Sequence, residues 1–151
     1  MDTIDFADTK RNNSALFENI EDAMMFVSAV AYGENVAIYD RLTGVIYYRS
    51  DMDDFSDLDD FNEDEFDADI HVKIPHKNDL NLGKKLVFDF VKECAPEIYE
   101  KVENIFRKRG AYSKYKDLLE LKGLLQQWYD YETRRTQQAL YRWCEENRID
   151  V

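Results

Sequence analysis

Ile20, Ala23, Met24, Val27, Val30 and Ala31 recur at intervals of three and four, the spacing that gathers apolar side chains on one face of a helix. With Asn19 as N-cap and Glu21 and Asp22 in the first turn, the pattern predicts a helix from Ile20 to Ala31 that stops near Gly33. Residues 1–16 are mostly polar, lack sustained periodicity, and read as a loose N-terminal segment. The composition of the following segments then shifts toward strand. Asn35 to Asp40 and Val45 to Arg49 are rich in β-branched and aromatic residues and flank Arg41-Leu42-Thr43-Gly44, which predicts a β-hairpin turning at Gly44. Ile70-His71-Val72-Lys73-Ile74 alternates apolar and polar positions and halts at Pro75, as a half-buried third strand does.

Beyond Pro75 the helical period returns. Leu82, Leu86, Val87, Phe90 and Val91 predict a helix from Leu80 to Cys94 with Asp79 as its cap and Gly83 inside it. Pro96 suits the first turn of a second helix whose face carries Ile98, Tyr99, Val102, Ile105 and Phe106, and Gly110 suits the left-handed exit after it. A short helix from Tyr112 to Leu121 and a longer one from Leu124 to Asn147 follow, separated by Gly123. The order predicts an α+β fold: an N-terminal helix, a small three-stranded antiparallel sheet and a C-terminal subdomain of about four helices, forming one domain over 17–151. No internal repeat is visible.

Charge changes this picture more than composition does. The 151 residues include 32 Asp and Glu against 20 Lys and Arg, for a net charge of −12. Eleven of the acidic residues, and no basic one, lie between Asp51 and Asp69. Outside that segment 21 acidic residues face 20 basic ones, so an ordinary mixed-charge domain carries one polyanionic insertion. The net charge opposes general adhesion to nucleic acid or to an anionic membrane. No window offers the roughly 18 to 20 apolar residues that span a bilayer, and Met1-Asp2-Thr3-Ile4-Asp5 lacks the basic start of a signal peptide, so the expected location is cytoplasmic. Cys94 and Cys144 have no C-x-x-C partner, and neither a zinc site nor a disulfide framework is expected.

Within the acidic segment Met52, Phe55, Leu58 and Phe61 fall at a strict interval of three, followed by Phe66. One reading is a recognition element in which Asp53, Asp54, Phe55, Asp57, Leu58, Asp59, Asp60 and Phe61 meet a basic, apolar protein partner. The other is an intramolecular lid, with the phenylalanines on the sheet and the acids in water. Mimicry of nucleic acid ranks below protein recognition: extended at about 3.3 Å per residue, the segment places its charges roughly 5.7 Å apart, against about 1.7 Å in duplex DNA. No frame gives the acidic ligands and central glycine of an EF-hand loop, and no metal or other cofactor is expected.

Arg107, Lys108, Arg109, Lys114 and Lys116 surround Gly110 with Tyr112 and Tyr115 interleaved. This cluster is a candidate phosphate or nucleic-acid contact, set against a plainer alternative in which the tyrosines are core and the cations a solvated face. Catalytic signals are thin. His71 and Lys73 share a strand face behind Asp69, and His76 follows Pro75, but two histidines without a metal or nucleophile motif read as surface residues. Glu132 and Arg135 read as a pair along the last helix, and Trp128, Tyr129, Tyr131, Tyr141 and Trp143 as packing.

With these pieces in place, the chain resembles the bacterial uncharacterised protein family 0158. The resemblance rests on Asp22-Ala23-Met24-Met25-Phe26-Val27, on Tyr39-Asp40-Arg41-Leu42-Thr43-Gly44-Val45-Ile46, and on an acidic stretch leading into Ile70-His71-Val72-Lys73-Ile74-Pro75. It continues in Arg109-Gly110-Ala111-Tyr112-Ser113-Lys114-Tyr115-Lys116-Asp117, in Trp128-Tyr129 and in Trp143-Cys144-Glu145-Glu146-Asn147-Arg148-Ile149. The likeness implies no activity or catalytic residue. The sequence therefore leads to a non-enzymatic acidic adaptor or regulator acting through Asp51 to Asp69. A nucleic-acid-associated protein using Arg107 to Lys116 is the alternative, and an enzyme the third reading.

Overall fold

The computed structural model describes residues 6–50 and 63–151. They form two compact units, one of residues 1–80 with 140–151 and one of residues 81–139.

The first unit is built on helix α1 (Phe6–Ser28) and a sheet of β1 (Asn35–Asp40), β2 (Ile46–Ser50) and β3 (His71–Lys73), ordered β2-β1-β3 with both pairings antiparallel. Ile20, Ala23, Met24 and Val27 form the buried stripe on α1 that their spacing predicted, with Phe17 added one turn earlier, but the helix ends at Ser28 and leaves Val30 and Ala31, which the pattern had included, beyond its end. The helix begins well before Ile20, inside the stretch read as loose, and Asn19 lies within it instead of capping it. Within the added turns the Phe17 ring stacks on Tyr141, 3.9 Å between centroids and 8° from parallel, a tertiary contact that sequence period cannot report. Phe26 meets Tyr48 of β2 edge to face at 5.2 Å, placing α1 over one sheet face.

The hairpin forms where predicted. Gly44 sits at φ +75°, a backbone state that side chains with a Cβ rarely adopt, and its N–H donates to the Asp40 carbonyl at 2.8 Å. Because β2 and β3 both oppose β1, they run parallel to each other. Ser50, ending β2, stands opposite Asn35, and His71, opening β3, stands opposite Asp40. The connection between them, which contains the acidic segment, therefore joins opposite ends of the sheet. A short 3-10 turn at Glu63–Glu65 precedes β3.

The second unit contains α2 (Lys84–Cys94), a 3-10 turn at Pro96–Ile98, α3 (Tyr99–Ile105), α4 (Ala111–Leu121) and the greater part of α5 (Leu125–Glu146), whose residues from Leu140 onward belong to the first unit. Helix α2 starts later than predicted. Asp79 does not cap it, because its carboxylate accepts from the His76 N–H at 3.1 Å within a separate 3-10 turn, Lys77–Leu80. Asn81 then takes φ +58°, which no right-handed helix accommodates, and Gly83 stands just outside α2. The core of this unit is aromatic: Phe90 packs on Trp128 and Tyr131 at 5.3 and 5.2 Å, and Tyr115 meets Trp128 edge to face at 5.2 Å. Arg135 donates to the Tyr131 hydroxyl at 2.8 Å and lies 3.7 Å from Asp89.

Candidate functional site: the root of the acidic connection and an adjoining cleft

Asp53, Asp54, Phe55, Asp57, Leu58, Asp59, Asp60 and Phe61 lie outside the described residues. The C-terminal root of their segment is described, and it is tightly organised. The carbonyl of Asp67 accepts the N–H groups of Ile70 and His71 at 2.9 and 2.6 Å, while its carboxylate accepts the Asp69 N–H at 2.9 Å. Its own N–H donates to His71 Nδ1 at 2.9 Å, which assigns the neutral ring's proton to Nε2, 3.7 Å from Asp40 Oδ2. Phe66 lies 5.7 Å from the His71 ring, and the Lys73 ammonium sits 5.7 Å above its centroid. Asp64, Glu65, Asp67 and Asp69 all face water. At this root Phe66, itself exposed, lies beside the β3 side chains His71 and Lys73 among exposed carboxylates.

Asp40 links that root to the hairpin. Burial alone would raise its carboxyl, but the backbone N–H groups of Thr43 and Leu42 and the facing His71 outweigh it and hold the group below its ordinary value. The two N–H donors reach Oδ1 at 3.1 and 2.8 Å. His71 is thus a strand residue engaged by the turn and by Asp40.

His76 is buried, against the expectation of a surface histidine. Its Nδ1 accepts the Asn78 N–H at 3.1 Å and its Nε2 lies 3.2 Å from the Val30 carbonyl, which it can reach only as donor in that tautomer. Tyr32 stacks on the ring, 4.3 Å between centroids. Ser28 Oγ accepts the Lys77 N–H at 2.9 Å, so the chain leaving α1 is tied to the chain leaving β3.

Between these two stretches and the C-terminal turns of α5 lies a half-open cleft of about 530 Å³, within the size range of ligand sites. Val27, Ile74, Pro75 and Leu80 give it an apolar floor; Tyr32 and Trp143 add aromatic surface; Lys73, Asp79 and Glu146 bring charge. Asn35 also lines it. The Asn35 Nδ2 donates to the Phe26 carbonyl at 2.9 Å, but its buried Oδ1 has no hydrogen-bond partner. Sequence reading missed this site, because its walls come from segments far apart in the chain and Trp143 read as ordinary packing.

The basic cluster is divided by the fold. Arg107, Lys108 and Arg109 are exposed in the turn between α3 and α4, and Gly110 before α4 takes φ +73°. A Cβ there would meet no atom within 4 Å, so glycine serves the backbone angle and not a close approach. Lys114 and Lys116 are exposed on α4, but at about 100° per residue they leave the helix roughly 160° apart. Tyr115 is fully buried, with burial pushing its hydroxyl pKa upward, whereas Tyr112 is partly exposed. Lys116 lies 5.7 Å over the ring of Tyr129, also partly exposed.

Among the described residues no group of three or more His, Cys, Asp or Glu is placed to hold a metal ion, and no helix is long and apolar enough to cross a membrane. No match was found among curated proteins or among solved structures. A family model does match, over residues 15–151, and it coincides with the resemblance drawn from the hairpin, the His71 strand and the Arg109–Gly110–Ala111 turn: the chain belongs to the Uncharacterised protein family (UPF0158).

Proposed function

We propose that the protein is a non-enzymatic acidic recognition module that binds a basic, apolar protein partner through the β2–β3 connection. The observation that supports it most directly is the topology. Eleven carboxylates sit on one connection whose ends belong to opposite ends of a three-stranded sheet, and its C-terminal root is fixed by Asp67, His71 and Phe66. Such a segment presents dense negative charge while the remaining surface stays close to neutral, which gives a basic partner both attraction and register. Apolar residues every third position among the acids add a hydrophobic contribution to what charge alone would give.

The test replaces Asp53, Asp54, Asp57, Asp59 and Asp60 with Asn, leaving the apolar positions intact. Co-purification from the native host, followed by titration of the captured partner, is expected to show binding that weakens with salt and is lost in the variant. Retention of every partner by a folded variant would end the proposal.

A second reading, nucleic-acid association through Arg107, Lys108, Arg109, Lys114 and Lys116, draws support from the partly exposed Tyr112 and Tyr129 beside Lys116. The divergence of Lys114 from Lys116 and the burial of Tyr115 count against a single continuous contact surface. Charge reversal at Arg109 and Lys114 should abolish salt-sensitive nucleic-acid binding if that reading holds; equal binding by parent and variant dismisses it.

A further inference from the structure

We propose that His71 is a proton-operated latch on the acidic connection: the neutral ring holds the connection's C-terminal root, and the protonated ring releases it. The bond that closes the latch runs from the Asp67 N–H to His71 Nδ1, at 2.9 Å. Only the neutral ring carries a lone pair at that nitrogen. A proton added there sets one donor against another, so the bond is lost outright instead of weakened. The Asp67 carbonyl also accepts the N–H groups of Ile70 and His71, and its carboxylate accepts the Asp69 N–H. The bond to His71 therefore fixes the whole turn by which the connection enters β3.

The opposite side of the ring is prepared for the charge. Nε2 lies 3.7 Å from Asp40 Oδ2, and Asp40 Oδ1 is tied to the Leu42 and Thr43 N–H groups at 2.8 and 3.1 Å. Asp40 titrates below 3.8 and is therefore ionised wherever an imidazole gains its proton, between about pH 5 and 8. Protonation thus exchanges a bond to an exposed turn for an ion pair with a carboxylate anchored in the hairpin, and the turn is the side that yields. Among the described residues, the charged groups on the elements around the ring are Asp40 and Arg41 at the end of β1, Asp64 and Glu65 in the 3-10 turn, Asp67 and Asp69 after it, and Lys73 on β3, over Phe66. Carboxylates outnumber cations there, which favours the charged ring. Were the Asp67 carboxylate to swing onto the new proton, its backbone N–H would be freed all the same.

His76 provides the contrast. Its Nδ1 also accepts a backbone N–H, from Asn78 at 3.1 Å, but its Nε2 faces the Val30 carbonyl in place of a carboxylate, and Tyr32 stacks on the ring. Both histidines of the chain hold a backbone N–H, and His71 is the one whose Nε2 faces an anion. The latch needs no partner, so it goes beyond the recognition reading: acid changes how the connection is held, whatever the connection binds.

The test follows the full chain, isotopically labelled, by nuclear magnetic resonance from about pH 8 to about pH 5.5, above the ordinary range of carboxylates. The Asp67 amide resonance is expected to move with the same midpoint as the His71 ring carbons. Its hydrogen-exchange protection, corrected for the intrinsic effect of pH, should fall about tenfold or more across that range. His71→Asn places an amide oxygen near the position of Nδ1 and does not titrate, so its Asp67 amide should stay protected at both ends. Asp40→Asn should carry the midpoint to lower pH, because the charged ring loses its anion. An Asp67 amide that remains protected once His71 is charged overturns the latch. So does an opening that follows the His76 ring, that persists unchanged in His71→Asn, or that Asp40→Asn leaves unmoved. Should His71→Asn fail to fold, as near-ultraviolet circular dichroism would report, the parent titration and Asp40→Asn decide between them. None of these readouts involves a partner, so the latch and the recognition reading fail separately.

Discussion

The two units bury different chemistry. In residues 81–139 the interior is a run of aromatic and aliphatic side chains, from Leu86 and Phe90 through Val102 and Tyr115 to Trp128 and Tyr131. In the unit of 1–80 and 140–151 the interior also contains Asn35, Asp40 and His76, the three buried polar residues among those described. Charge divides the same way: the first unit holds 23 acidic and 8 basic residues, the second 9 and 12. A core built from aromatic contacts depends on shape and area, whereas buried polar groups keep their places only through specific partners and raise the cost of error. Candidate function falls with the latter. The unit holding Asp40, His76 and an unpaired Asn35 oxygen also holds the cleft and the acidic connection.

The largest expected effect breaks the aromatic core. Trp128→Ala removes the ring that Phe90, Tyr115 and Tyr131 surround and should cost about 3–5 kcal/mol of unfolding free energy, measured by urea denaturation. His76→Ala in the other unit removes a ring but also strands the Val30 carbonyl and the Asn78 N–H, for a loss of about 1–3 kcal/mol. The contrast is sharpest in substitution by shape: Trp128→Phe should recover most of the stability, while His76→Phe should recover little, because shape is not what His76 supplies. Equal rescue at both positions would remove the distinction drawn between the two cores.

Acid should act first on the unit with the carboxylate. Asp40 titrates below its ordinary value of 3.8 in the folded chain, so the folded state favours its ionised form. Its contribution is therefore complete above that value and is lost as pH falls through the lower, folded-state one. Asp40→Asn keeps an oxygen for the Leu42 and Thr43 N–H groups but carries no charge; its melting temperature should vary less steeply with acid than the parent's. Identical acid limbs would mean that the hairpin and His71 do not select the carboxylate.

This division also explains what was legible in the sequence. Hairpin, third strand and the four C-terminal helices follow from period and from Gly44, Pro96, Gly110 and Gly123, because each is decided within a few residues of chain. The packing of Phe17 on Tyr141, more than a hundred residues downstream, has no local signal, and the delayed start of α2 goes with a bond from His76 to Asp79 that competes with capping. The cleft was least visible of all. Its polar members, Asn35, Lys73, Asp79 and Glu146, carry no shared spacing, and a buried asparagine with an unpaired oxygen has no sequence signature.

The smallest expected effect provides a probe in each unit without a core-disrupting substitution. Cys94 lies half-buried in the helical unit, and Cys144 is fully buried in the other, where burial pushes its thiol pKa up to about 11. Only the thiolate attacks a disulfide reagent, so near neutral pH Cys144 is disfavoured both by access and by protonation. Native protein should therefore label at Cys94 first, with Cys144 reacting only through opening of its surroundings. Mass spectrometry of labelled peptides across a denaturant series then follows each unit separately. Should Cys144 become reactive at lower denaturant than the Trp128 core takes to unfold, the unit with polar interior groups and the acidic connection is also the one that opens more readily, as expected for a region shaped around binding. Labelling of both thiols in one cooperative step would show instead that the chemical contrast between the cores carries no difference in local stability.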